Sequence, residues 1–129
     1  MFKDNQVFSS FSVGDIDAAS DFYTGKLGLT AEKTQMGTLD LKLSGGQRVM
    51  LYPKPNHEPA TFTVLNFVVP DVEKAVDDLT AAGIEMMQYD LPDINQDAKG
   101  IARDDRNGPA IAWFKDPAGN VIALMELPS

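Results

Sequence analysis

Phe11-Ser12-Val13-Gly14-Asp15-Ile16-Asp17-Ala18-Ala19-Ser20-Asp21-Phe22-Tyr23-Thr24 returns in degenerate form as Phe67-Val68-Val69-Pro70-Asp71-Val72-Glu73-Lys74-Ala75-Val76-Asp77-Asp78-Leu79-Thr80. At one constant offset Phe11/Phe67, Val13/Val69, Asp15/Asp71, Ala19/Ala75, Asp21/Asp77 and Thr24/Thr80 are identical, and Ile16/Val72 are similar. A second echo pairs Gly46-Gln47-Arg48-Val49-Met50-Leu51 with Gly119-Asn120-Val121-Ile122-Ala123-Leu124, at another offset because the second copy has a longer middle. The chain reads as two copies of one module. A duplicated unit that cannot bury its own apolar face must pack on its twin or on another subunit, and that seam is a natural place for a ligand.

Within the first copy, Val7 to Val13 has strand composition and ends at the Gly14-Asp15 turn. Asp15 is a good N-cap, Asp17 and Asp21 sit near the positive end of the helix dipole, and Ile16, Ala19, Phe22 and Tyr23 form one apolar stripe that Gly25 and Gly28 end. A strand at Leu29–Lys33 is followed by the alternating Thr38-Leu39-Asp40-Leu41-Lys42-Leu43, a Gly45-Gly46 hairpin turn and a return strand from Arg48 to Tyr52. The order is β-α-β-β-β. The second copy repeats it with a strand from Phe62 to Val69, a helix capped by Asp71 with Val72, Ala75, Val76 and Leu79 on one face, and Gly83 as its stop. Strands are expected at Ile84–Gln88, Gly100–Arg103, Ala110–Lys115 and Val121–Glu126, with turn chemistry at Asp105-Arg106-Asn107-Gly108 and Asp116-Pro117-Ala118-Gly119.

The domain organisation follows: one domain over 1–129, with module one at 1–52, module two at 60–129, and a proline-rich linker at 53–59 whose prolines favour extended backbone. The stretch from Tyr89 to Lys99 is an acidic loop, long for a plain connection, and is either a solvated loop or a lid. At 129 residues, 43% hydrophobic and 23% charged, the chain can bury roughly two-thirds of its unfolded surface.

Without cysteine there is no disulfide framework, thiolate nucleophile or zinc-thiolate site. Residues 1–10 lack the basic start and apolar run of a signal peptide, and no apolar stretch approaches a membrane span, so a cytoplasmic protein with no membrane partner is expected. Eleven basic against nineteen acidic residues give a formal charge of −8, which disfavours nucleic acid and anionic lipid and modestly favours cationic ligands.

Two signatures carry a family resemblance. Val13-Gly14-Asp15-Ile16-Asp17-Ala18-Ala19-Ser20-Asp21-Phe22-Tyr23 followed by Leu27-Gly28-Leu29 resembles the opening of the vicinal oxygen chelate superfamily, which includes glyoxalase I, bleomycin-resistance proteins, fosfomycin-resistance enzymes and extradiol dioxygenases. Ala112-Trp113-Phe114-Lys115-Asp116-Pro117-Ala118-Gly119-Asn120-Val121-Ile122 resembles its closing strand-turn-strand. The resemblance spans nearly the whole chain and implies an α+β fold in which paired β-α-β-β-β modules form a partly open eight-stranded barrel, commonly a homodimer. One scaffold hosts many chemistries, so function has to come from the site.

In metal-using relatives a His stands on the first strand of a module and a carboxylate on its last strand. The matching positions here are Phe8 and Met50 in the first module and Val64 and Ala123 in the second, a set with one weak thioether and no hard donor. The nearest acid, Glu126, is three positions past Ala123 and on alternation points to the opposite face. The resemblance therefore implies a member that lacks the shared metal centre, with no cofactor, and keeps the cavity. Alternation from the vacated positions turns Phe8, Ser10, Met50, Tyr52, Val64, Asn66, Ala123 and Met125 inward, joined by one of the adjacent pair Trp113 and Phe114, with Trp113 assigned to the site. That lining is mostly apolar with a few polar handles, and its methionines give it adaptability.

Other reactive residues point elsewhere. His57 lies in the linker as a solvated loop histidine or a lone acid/base. Ser9, Ser10 and Ser12 have no His within reach by pattern, which gives a hydrolase triad no support. Asp97, Lys99, Arg103, Asp104 and Asp105 read as a solvated charge run, and Gly45-Gly46 lacks the spacing of a phosphate-binding loop. The leading expectation is a metal-free small-molecule binding protein, similar to bleomycin-resistance proteins, holding an aromatic or cationic drug-like ligand in a dimer cleft. The alternatives are a lyase, isomerase or dioxygenase of the same superfamily with a metal site not legible in the sequence, and a partner-binding subunit with a filled cavity.

Overall fold

A computed structural model describes residues 1–89, 91–103 and 108–128. The chain divides into two compact units, Met1–Pro59 and Ala60–Ser129. Each unit carries its own mixed sheet. In the first, β1 (Ser9–Val13) is followed by α1 (Ile16–Ser20), a π-helical turn (Asp21–Lys26), β2 (Thr30–Lys33), β3 (Leu39–Lys42) and β4 (Arg48–Pro53). The sheet order is β1-β4-β3-β2, with β1 parallel to β4 and the other pairs antiparallel. In the second, β5 (Thr63–Val68) leads to α2 (Val72–Ala81), β6 (Ala110–Lys115) and β7 (Val121–Glu126), in the order β5-β7-β6 with β5 parallel to β7. The α+β class and the β-α-β-β-β order of the first copy are as the sequence led us to expect, and neither sheet is closed on itself.

The duplicated motif folds alike in both units, with one instructive difference. Asp15 Oδ1 accepts from Asp17 N at 2.9 Å and Ala18 N at 3.2 Å, and Asp71 Oδ1 accepts from Lys74 N at 3.1 Å, so both helices start on an aspartate cap. α2 ends in a Schellman motif: Gly83 takes φ +85°, Ile84 N donates to Leu79 O at 3.0 Å and Gly83 N to Thr80 O at 3.0 Å. In the first unit Gly28 takes φ +73°, but Leu29 N reaches back to Tyr23 O at 2.9 Å and Gly28 N to Thr24 O at 3.2 Å, each bond one residue wider. Gly28 stands four positions after Thr24, whereas Gly83 stands three after Thr80, and the π turn takes up the extra residue. The widened turn buries two consecutive aromatics, Phe22 and Tyr23, which meet edge to face at 5.1 Å.

One face of each sheet is the core. Val13, Leu39, Leu41, Val49 and Leu51 are buried on the first, and Ala112, Phe114, Ile122 and Leu124 on the second. α2 covers that second face, because Glu126 Oε1 accepts from Val72 N at 2.9 Å at the start of the helix and Glu126 shares a side of β7 with Ile122 and Leu124. The polar ends of the 116–120 turn, Asp116 and Asn120, are also buried: Asp116 Oδ1 accepts from Ala118 N at 2.9 Å and Asn120 N at 2.8 Å, and Asn120 Oδ1 accepts from Ala60 N at 3.2 Å.

Two expected strands are not formed as strands. Ile84–Gln88 contributes a single bridge, Met86 to Phe114, and Gly100–Arg103 contributes Ala102, bridged to Gln96 and Ile111. Backbone pairing here is reduced to Met87 N donating to Trp113 O at 2.8 Å and the reciprocal Ala102–Ile111 bonds at 2.8 and 2.9 Å, and side chains add to it. Gln96 Nε2 donates to Met87 O at 2.9 Å and Gly100 O at 2.7 Å, and Gln96 Oε1 accepts from Tyr89 N at 2.6 Å. The segment expected as a solvated loop or lid is thus pinned at its centre, and Lys99 and Arg103 tie it to Asp77 and Glu73 of α2 at 3.0 and 3.5 Å. Asp90, and Asp104 and Asp105 of the charge run together with Asp105-Arg106-Asn107 of the expected turn, lie outside the described residues.

Candidate functional site

In the first unit the face of the sheet opposite the core carries the residues expected to line a ligand site. Ser10 pairs with Met50, and Ser12 with Tyr52, across β1 and β4, so all four side chains share one side. Phe8 precedes β1 and is exposed, as is Ser10; Met50 and Tyr52 are half-buried. The expected apolar wall needs correction here. Asp40 pairs with Met50 and Lys42 with Arg48 across β3, and Glu32 pairs with Asp40 across β2, which adds a ladder of charge to the same face. Lys42 Nζ meets Glu32 Oε2 at 2.9 Å, and this hydrogen-bonded cation holds the Glu32 carboxyl below its usual range. Arg48 Nη1 lies 3.6 Å from Asp40 Oδ2, and the Arg48 guanidinium carbon stands 4.1 Å from the centroid of the Phe8 ring.

The linker histidine joins this face, which the sequence reading missed. His57 Nδ1 and Ser12 Oγ are 2.7 Å apart, so Ser12 does have a histidine within reach. The linker doubles back to bring it there, with Lys54 N donating to Val13 O at 3.0 Å and His57 N to Lys54 O at 3.0 Å. Pro55 lies inside the Lys54–His57 turn and fixes φ there, but the return of the linker onto β1 is a tertiary contact that the prolines alone do not announce.

In the second unit the register aligns Asn66, Ala123 and Trp113 in one row and Val68, Met125 and Ile111 in the next, all opposite the α2 face. Ala123 is 1% exposed, Trp113 and Met125 are half-buried and Asn66 is exposed. Phe114, 0% exposed, takes the helix side, so the adjacent aromatics divide between the two faces. The Tyr89 ring packs edge-on against Trp113 at 5.1 Å, and burial pushes its phenol up. Val64 falls in a bulge: Thr63 pairs with Val121 and Leu65 with Ile122, so the strand slips phase at Val64 and alternation does not fix its direction. Beside α2 a separate cleft of about 480 Å³ is lined by Val76, Asp77, Thr80, Ile84, Met86 and Lys99 among others.

The divalent metal that the resemblance brings to mind does not fit these residues. Phe8, Met50, Val64 and Ala123 supply no oxygen or nitrogen side-chain donor, Glu126 is engaged at the α2 terminus on the other face, and Asp40 is the one carboxylate beside Met50. Among the described residues no three His, Cys, Asp or Glu side chains converge in a metal-binding group. Among the same residues no helix is long and apolar enough to cross a membrane.

Comparison with known proteins agrees with the fold. The family model described as the glyoxalase/bleomycin resistance protein/dioxygenase superfamily matches residues 6–124. No curated protein matches the chain in sequence. Among solved structures, a glyoxalase family protein from Enterococcus faecalis aligns at 24% identity over 98% of this chain and 100% of its own, with a TM-score of 0.68. TnmS3, an antibiotic binding protein from Streptomyces sp. CB03234, aligns at 24% identity over 98% of both chains with a TM-score of 0.65. The fosfomycin resistance protein FosX from Listeria monocytogenes aligns at 11% identity over 95% of this chain and 92% of its own, with a TM-score of 0.71. At these identities the likeness is one of fold.

Proposed function

Because this chain belongs to the glyoxalase/bleomycin resistance protein/dioxygenase superfamily, we propose that it is a metal-free binding protein that holds a small aromatic, amphipathic molecule against its sheet faces. The observation that carries this reading is the donor set: Phe8, Met50, Val64 and Ala123 stand where a metal-using relative needs imidazole and carboxylate. What remains suits ligand binding, with Met50, Tyr52, Trp113 and Met125 half-buried and Ser10, Ser12 and Asn66 as polar handles. An acidic surface, at −8 overall, attracts a ligand with a cationic group at long range. The antibiotic-binding relative of the same fold makes drug-like ligands the first class to try. We further take the protein to act as a cytoplasmic homodimer with no cofactor.

The test is a thermal-shift panel of aromatic and cationic compounds on the metal-stripped full chain. A ligand at a hundred times its Kd adds about 2.7 kcal/mol of stability. A melting temperature that no compound moves removes the proposal. A second reading, an enzyme of the same superfamily, draws on the Ser12–His57 pair, whose 2.7 Å separation puts a proton-accepting group on the same face. Turnover of a thiohemiacetal or catechol that is lost in His57→Gln would favour it.

A further inference from the structure

We propose that Arg48 sets the ligand class of the first unit's sheet face by taking a carboxylate, so that the preferred ligand is an aromatic molecule bearing that group. This rests on the binding reading above and narrows it. The guanidinium carbon stands over the Phe8 ring at 4.1 Å, a cation–π contact that holds the group in place on that side. A single ring contact cannot occupy all five guanidinium N–H donors. Among the described residues the carboxylate paired with Arg48 is Asp40, at 3.6 Å, close enough to neutralise charge and too far for a hydrogen bond. The Asp40 side chain is 17% exposed and that of Arg48 47%, so an arriving molecule meets the cation before the anion. The neighbouring cation is spent: Lys42 is closed on Glu32 at 2.9 Å.

A carboxylate matches the planar fork of Arg48 with two parallel charge-assisted hydrogen bonds, a geometry that an ammonium or a neutral amide cannot reproduce. Beside the fork, Met50 and Ser10 on the same face offer a soft apolar surface and a hydroxyl to the rest of the molecule. The net charge of −8 acts at range and is screened by salt, whereas the fork acts at contact, so an overall acidic protein can still select an acid locally.

The experiment uses three matched probes, 2-naphthoate, 2-naphthamide and 2-naphthylmethylammonium, titrated calorimetrically into the full chain and into R48M, R48K and F8L. The expected result is a preference for naphthoate over the amide of about ten- to a hundredfold, reduced to parity in R48M, partly kept in R48K and weakened in F8L. Equal binding of naphthoate and amide, a preference for the ammonium probe, or a naphthoate preference that survives R48M would overturn the assignment while leaving small-molecule binding intact. Failure of all three probes to bind would remove the assignment together with the reading beneath it. Should R48M fail to fold, the wild-type comparison of acid and amide with R48K still decides.

Discussion

Replacing Gln96 by Ala tests whether the segment from Tyr89 to Arg103 is a fixed wall of the second unit or a moving cover. Gln96 supplies three hydrogen bonds of 2.6, 2.9 and 2.7 Å that join Tyr89, Met87 and Gly100 across the base of the loop. At a net 0.5–1.5 kcal/mol for each bond, their loss costs about 3 kcal/mol. Unfolding entropy of about 2.1 cal/mol/K per residue comes to about 0.27 kcal/mol/K over this chain, so the melting temperature should fall by about 11 °C. The adjacent exposed Asn95 serves as control, with Asn95→Ala within about 0.5 kcal/mol of the parent. Amide exchange supplies the second readout, because the Tyr89 N–H donates to Gln96 Oε1 at 2.6 Å. A rigid wall requires a slow Tyr89 amide in the parent and a fast one in Gln96→Ala. A Tyr89 amide that exchanges freely in the parent, with an unchanged melting temperature in the variant, would show that the loop is already open and that the side-chain knot holds nothing.

Three further outcomes follow from single sites. Phe114→Ala removes a ring that is 0% exposed under α2 and should cost about 3–5 kcal/mol in denaturant midpoint analysis, with the slope unchanged. Partial desolvation works against the Asp97 carboxylate, yet hydrogen bonds from Ile101 N, Arg103 and Lys99 N hold its folded pKa below the ordinary value. A depressed folded pKa contributes stability above the unfolded value of 3.8 that is lost as pH falls through the folded one, so melts taken from pH 6 down to pH 3 should show a shallower acid loss in Asp97→Asn than in the parent. Deleting Lys26 shortens the first helix terminus to the spacing of the second; the shortened chain should still unfold cooperatively, with a change within about 2 kcal/mol, and a molten state by near-ultraviolet circular dichroism would contradict the reading of the π turn as an absorbed extra residue.

Much of the fold was legible because the duplicated motif repeats the chemistry as well as the letters. Asp15 and Asp71 cap, Gly28 and Gly83 terminate, and β6 and β7 run over the residues their alternation marks out. The π turn was also legible in principle, in the one-residue difference between the Thr24-to-Gly28 and Thr80-to-Gly83 spacings, but it requires comparing the copies after their identities end.

The two strands that did not form are held by isolated bridges together with the side-chain bonds of Gln96, and a single Gln in an acidic loop gives no periodic signal. The site was less legible than the fold. Asp40 and Arg48 occupy the polar phase of alternating strands, which reads as a solvent face, so the charge ladder beside Met50 was hidden in what looked like ordinary patterning. His57 depends on a linker turning back on β1, and the Val64 bulge shifts phase within one strand; both are tertiary facts that local propensity does not encode.

Metal-free binding requires that Phe8, Met50, Val64 and Ala123 leave no site for a divalent ion. The deciding measurement is the metal content of protein purified without a chelating tag, followed by calorimetric titration with Zn²⁺, Ni²⁺, Mn²⁺ and Fe²⁺. A chain with no hard donor at these positions should carry no stoichiometric metal and show only weak surface binding. One tight site per subunit would contradict it and make a metal-dependent enzyme the better description of this chain.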